Sequence, residues 1–139
     1  MPVVAEALNL LGVHRAMIVH SNGLDEISTM GPTKITELKA GKLTNWTLNP
    51  QDYGLKPATH EALAGSDAAG NAGIVGDILN GKADGPRKDI VVLNAAAAII
   101  VGGLIDDFEN AMKLAAKAID SGQALHRLKK MIEISNLPA

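Results

Sequence analysis

Asp25 and Glu26 are neighbouring carboxylates that closely follow the compact apolar run Ala16-Met17-Ile18-Val19-His20. That run lies between Gly12 and Ser21-Asn22-Gly23 and reads as a strand buried on both faces. Loops at the carboxyl ends of strands are where open α/β sheets place ligand groups. Two hard oxygen donors in an otherwise sparse loop suit Mg²⁺, which takes one or two carboxylates and fills its remaining positions with water and substrate phosphate. An acidic pair is also ordinary solvated surface charge, so spacing alone names no function.

Other reactive groups are few. His14, His20, His60 and His126 lack the paired spacing of a helix-borne zinc site. His20 is the only one beside the acids. It reads as a strand-end residue hydrogen-bonded to backbone, with proton transfer as the alternative that would need a substrate within reach. The absence of cysteine removes disulfides, thiolate metal sites and thiol nucleophiles. Gly65-Ser66-Asp67 and Asp84-Gly85-Pro86 contain glycine but neither the P-loop lysine nor a dinucleotide fingerprint, and read as helix caps. Asn94, inside an apolar stretch, must find a partner if buried, because a lone amide away from water costs about 1–3 kcal/mol; a structural hydrogen bond is expected. Lys129 and Lys130 are an ordinary helix-face pair.

The elements that must position these groups follow from patterning. A chain of 139 residues suits one domain. Its 13 Lys and Arg against 15 Asp and Glu leave a net charge of −2, with no basic excess for nucleic acid. Ile90 to Leu104 is mostly apolar but only 15 residues long, against about 20 for a membrane span, so no membrane contact is expected. The first residues lack a basic signal-peptide region, which points to the cytoplasm. With one Trp, one Tyr and one Phe, the core must be built from Ala, Val, Ile and Leu.

Pro2 and the apolar Val4, Ala7, Leu8 and Leu11 predict an opening helix stopped at Gly12. Thr33–Leu38 and Leu43–Leu48 predict a hairpin turning at Gly41, and Pro50, Gly54 and Pro57 a connecting loop. Thr59 is expected to cap a short helix to Leu63, and Ser66 or Asp67 a helix ended by Asn80-Gly81. Gly70, Gly73 and Gly76 weaken that helix by roughly 1 kcal/mol each, which predicts close approach to another backbone. Pro86 opens a helix apolar nearly all round from Ile90 to Val101, read as covered on every side. Asp106 and Glu109 have capping-box spacing for the next helix, and Ser121-Gly122 separates it from a last one through Leu125, Leu128 and Ile132.

The string from His20 through Asp25 and Glu26 to Ser28, followed by Gly31-Pro32-Thr33, resembles the acidic metal motif of anthranilate phosphoribosyltransferases, in glycosyl transferase family 3. The resemblance continues in the family's order. It runs through Leu48-Asn49-Pro50, Tyr53-Gly54-Leu55, Gly65 with Asp67, Asn71-Ala72, Leu79 with Gly81, and Arg87 and Asp89 to Leu93-Asn94-Ala95-Ala96-Ala97-Ala98. It implies transfer of phosphoribose from phosphoribosyl diphosphate to the amino group of anthranilate, in tryptophan biosynthesis. Asp25 and Glu26 would be the metal residues, holding Mg²⁺ on the diphosphate. Ser21 and Asn22 stand where Gly and Asp are commoner in the family, and Ser66 replaces a usual Gly; Asn22 thereby removes one possible anionic ligand.

The family's glycine-rich diphosphate loop, its Lys-His-Gly-Asn segment and the arginine that helps bind anthranilate lie upstream of the motif, without counterpart in residues 1–139. The resemblance therefore implies one partial α/β domain: a C-terminal fragment of a larger α/β domain, with one buried strand, a β-hairpin joining or flanking its sheet, and a cluster of C-terminal helices. The N-terminal helical domain, which also makes the family's dimer contact, would be absent. The chain alone is expected to be inactive, with phosphoribosyl diphosphate and anthranilate bound only alongside the missing N-terminal part. Two other readings stand beside this one: a noncatalytic assembly module that self-associates or docks on a complementing N-terminal chain, and a relative of the nucleoside phosphorylases, against which the Gly23-Leu24-Asp25-Glu26 string argues.

Overall fold

Pro2, whose missing N–H belongs to a helix's unpaired first turn, starts α1 (Pro2–Leu10), and Gly12 turns the chain with φ +82°. In the computed structural model, which describes residues 1–137, three strands follow: β1 (Arg15–His20), β2 (Thr33–Lys39) and β3 (Lys42–Leu48). They form one antiparallel sheet in the order β1-β2-β3. Ala40 and Gly41 link β2 to β3 with φ of +49° and +79°, the left-handed pair that matches hairpin twist, and Lys39 opposes Lys42 across it. The hairpin lies where the sequence places it.

A short 3-10 turn (Pro50–Tyr53) leads to α2 (His60–Leu63), α3 (Ala68–Leu79), α4 (Pro86–Val101), α5 (Phe108–Asp120) and α6 (Gln123–Ser135). Thr59 accepts from Ala62 N–H to cap α2, and Asp67 accepts from Gly70 N–H to cap α3. One face of the sheet, with Ile35 and Leu48 buried and Met17, Val19 and Trp46 beside them, packs on Leu93, Ala96, Ala97 and Ile100 of α4 and Phe108 and Ala111 of α5. Phe108 meets Trp46 edge-on at 6.4 Å and Tyr53 at 5.3 Å. Thr36 and Leu38, on the opposite face by pleat alternation, are buried, as is Ala5 of α1. The sheet thus lies between α1 and the α4–α5 pair.

Several local expectations change. β1 is half-buried from Arg15 to Val19 and exposed at His20, rather than covered on both faces, and among the described residues it pairs with β2 alone. Around α4, Ala98 is exposed and several neighbours are half-buried, so its apolar circumference is only partly covered. Gly73 and Gly76 face open space instead of a neighbouring backbone. The cap of α5 is Asp107, which accepts from Asn110 N–H. Asp106 is drawn elsewhere: it accepts from Arg15 Nη1 at 2.7 Å and Lys39 Nζ at 2.9 Å, while Arg15 Nη2 reaches Glu37 at 3.2 Å. That network ties the α4–α5 connection to β1 and β2.

Hydrogen bonds from Lys39 and then Arg15 hold the Asp106 carboxyl below its ordinary pKa. A depressed carboxylate stabilises the fold above the usual carboxylate range, and the contribution disappears as pH falls through the folded pKa. Asp106→Asn is therefore predicted to lower the urea-unfolding midpoint at neutral pH. The gap to wild type should close as the pH drops below 3.8, the group's ordinary value.

Candidate metal centre

The acidic pair sits on a backbone fixed at both ends. On its amino side, Ser21 and Leu24 exchange backbone hydrogen bonds of 3.0 and 2.7 Å around Asn22 and Gly23, whose φ are +44° and +86°. Asn22 is among the few residue types that tolerate that conformation. On its carboxyl side, Ile27 is 1% exposed and Ser28 and Thr29 are fully buried. Ser28 N–H donates to Thr33 Oγ1 at 3.2 Å, and Met30 N–H donates to Ser28 Oγ at 3.0 Å. Asp25 and Glu26 are exposed between these anchors.

Asn94 provides the strongest anchor. Its Oδ1 accepts from Ile27 N–H at 3.0 Å, while its Nδ2 donates to the Ile27 carbonyl at 2.7 Å and to the Ile90 carbonyl at 2.9 Å. Asn94 is half-buried, the structural hydrogen bond expected of it is present, and it joins α4 to the residue next to Glu26. A second asparagine repeats the pattern: Asn71 Oδ1 accepts from Ser66 N–H at 2.8 Å, and its Nδ2 donates to the Ser66 carbonyl at 3.2 Å. Arg87 donates to the Ala64 carbonyl at 2.7 Å. The loop these two residues hold lies across a cavity from Glu26.

Two adjoining cavities of about 240 Å³ each open beside the acids and share Glu26, Leu63 and Gly65. One adds Asn71 and Arg87 from α3 and α4, and the other adds His60 from α2. His20, at the exposed end of β1, lines neither cavity. Gly65, Asn71 and Arg87 are far from Glu26 in sequence, and nothing in local spacing signals that they meet it.

Among the described residues, neither Asp25 nor Glu26 makes an ion pair. Nor, among them, is any group of three or more His, Cys, Asp or Glu side chains gathered to hold a metal. The donor set is therefore a pair of free, hard carboxylates. That fits Mg²⁺, which completes its shell with water and phosphate, and does not fit a closed zinc site.

A mixed α/β layer carrying an acidic loop at the end of a strand defines the class. Residues 1–125 match the glycosyl transferase family, a/b domain, and the chain belongs to that family. Its relatives include the anthranilate phosphoribosyltransferase of Methanocorpusculum labreanum, 44% identical over 132 residues that cover 95% of this chain and 38% of the relative. The one from Thermoanaerobacter sp. is 46% identical over 131 residues, covering 94% and 38%. The structure of the Thermus thermophilus anthranilate phosphoribosyltransferase aligns with TM-score 0.81 and 35% identity over 91% of this chain and 37% of that one. The Saccharomyces cerevisiae enzyme in complex with PRPP and Mg aligns with TM-score 0.88 and 27% identity, over 98% and 40%. The chain thus spans 38% of the length of the first two of these curated relatives. No helix among the described residues is long and apolar enough to cross a membrane.

A Cβ added at Gly65 would overlap Asn71 Oδ1. Gly65→Ala is therefore predicted to displace the Asn71 amide and speed hydrogen exchange at Ser66 N–H, at a cost of about 1 kcal/mol for the lost bond. Amide exchange followed by NMR checks it.

Proposed function

We propose that this chain is the magnesium-bearing, C-terminal portion of an anthranilate phosphoribosyltransferase. The reaction moves phosphoribose from phosphoribosyl diphosphate to the amino group of anthranilate in tryptophan biosynthesis, in the cytoplasm. The observation that carries this reading is the exposed, unpaired Asp25–Glu26 on a rigid loop, in a chain whose relatives are that enzyme. Asp25 and Glu26 would hold Mg²⁺, which when bound supplies Lewis-acid stabilisation of the charge that grows on departing diphosphate. The chain's own residues provide placement: the Ser21–Leu24 turn and the Asn94 clamp fix the backbone, and the Gly65 loop bounds the space beside Glu26. The chain contains no cysteine, and we assign no covalent nucleophile.

The groups that bind the rest of the substrates are proposed to come from polypeptide corresponding to the relatives' remaining length. A second reading, a docking module for such a complementing chain, is favoured by β1: among the described residues it pairs with β2 alone, and beside it lies a groove of about 340 Å³ lined by Met17, Val19, Ile27, Ala97 and Val101. A strand with a free edge is a template for another strand.

One mixing experiment separates these readings. The purified chain is predicted to show no phosphoribosyl transfer with phosphoribosyl diphosphate, Mg²⁺ and anthranilate. Addition of a polypeptide spanning the rest of a relative should give a heteromeric mass by light scattering and measurable turnover. Asp25→Asn combined with Glu26→Gln should then cut turnover by about 100-fold while the complex persists. Turnover by the chain alone contradicts the proposed inactivity; a complex without turnover favours the docking module; turnover indifferent to the double substitution contradicts the metal role.

A further inference from the structure

We propose that Asn94 is the positioning residue for the acidic pair, a role that rests on the metal reading of Asp25 and Glu26. The amide is fully used: its oxygen takes Ile27 N–H at 3.0 Å, and its nitrogen gives one proton to the Ile27 carbonyl at 2.7 Å and the other to the Ile90 carbonyl at 2.9 Å. Donor and acceptor lie side by side on one planar group, so Asn94 pairs with the Ile27 residue as a neighbouring strand would. Leu lacks both groups, Asp lacks the donor, and Gln moves both outward by one methylene.

What anchors the amide matters as much. Leu93 and Ala96, on either side of it along α4, are fully buried in the main core. The clamp therefore refers the position of Ile27, the residue after Glu26, to α4, which buries Val92, Leu93, Ala96, Ala97 and Ile100. With the Ser21–Leu24 turn closing the other end, the link from Leu24 to Ile27 has fixed ends, and both carboxylates project from it. Partners that hold metal-binding groups in place commonly govern affinity by 10–100-fold. Bidentate contact to the backbone beside the acids gives Asn94 that role without touching an ion.

The test uses the full chain labelled with ¹⁵N and Mn²⁺ as a paramagnetic probe. In the wild type, Mn²⁺ should broaden amide signals centred on Asp25, Glu26 and Ile27, and Asp25→Asn with Glu26→Gln should abolish the effect. Asn94→Leu, which keeps the branch at Cγ, and Asn94→Ala should keep a dispersed spectrum yet need about tenfold more Mn²⁺ for the same broadening. Val92→Ala, which trims the same helix in the second core cluster rather than the one that holds Ile27, should lose stability without changing the Mn²⁺ requirement, separating positioning from general destabilisation. Folded Asn94 variants that bind like wild type would overturn the positioning role alone, as would a Val92→Ala chain that weakens binding equally. A wild type with no centred broadening would overturn the metal reading and this role together.

Discussion

The peptide group on each side of Ile27 is held by the side-chain amide of Asn94, and the use made of Asp25 and Glu26 depends on that contact. Two carboxylates about 4 Å apart repel by about 1 kcal/mol in water, and less when farther apart. A single hydrogen bond contributes about as much, net of water. Two bonds from that amide to Ile27, reinforced by the burial of Ile27, hold the backbone beside the acids against that repulsion.

The rest of the fold serves the same platform. α4 carries Asn94 and also supplies Leu93, Ala96 and Ile100 to the core under the sheet, so the clamp and the hydrophobic layer share one rigid body. β1 delivers the chain to the acidic loop, and the Arg15–Glu37 and Arg15–Asp106 pairs hold its start to β2 and to the α4–α5 connection. The Arg15–Asp106 pair, open to solvent on its Asp106 side, contributes little compared with burying a residue such as Leu93, whereas Arg15–Glu37 is largely shielded from water. Their function is alignment of elements distant in sequence. The apolar side chains left in solvent, including Leu10 and Leu11 on α1 and Met131 and Ile134 on α6, lie outside this platform.

Where a feature depends on neighbours in sequence, it was legible. Ala40-Gly41 signals its turn through the left-handed backbone it must adopt, Thr59 and Asp67 cap the helices that follow them, and a lone amide among aliphatic residues announces a hydrogen bond. Features that depend on distant partners were not. Local spacing favours Asp106, three residues before Glu109, as the cap of α5, yet Asp107 makes that cap while Asp106 pairs with Lys39 and Arg15. The half-burial of β1 depends on what packs against its faces, which its own apolar pattern does not encode. Likewise the acidic pair stands out in sequence, whereas Gly65, Asn71 and Arg87 join Glu26 only once α3 and α4 have packed.

The most direct measurement is the anomalous scattering of manganese in crystals of this chain grown with Mn²⁺ and pyrophosphate. The account predicts a single strong anomalous peak within coordination distance of carboxylate oxygens from both Asp25 and Glu26, with pyrophosphate density on its outer side. A metal peak elsewhere on the chain, or ordered pyrophosphate with no metal at these two residues, would contradict it.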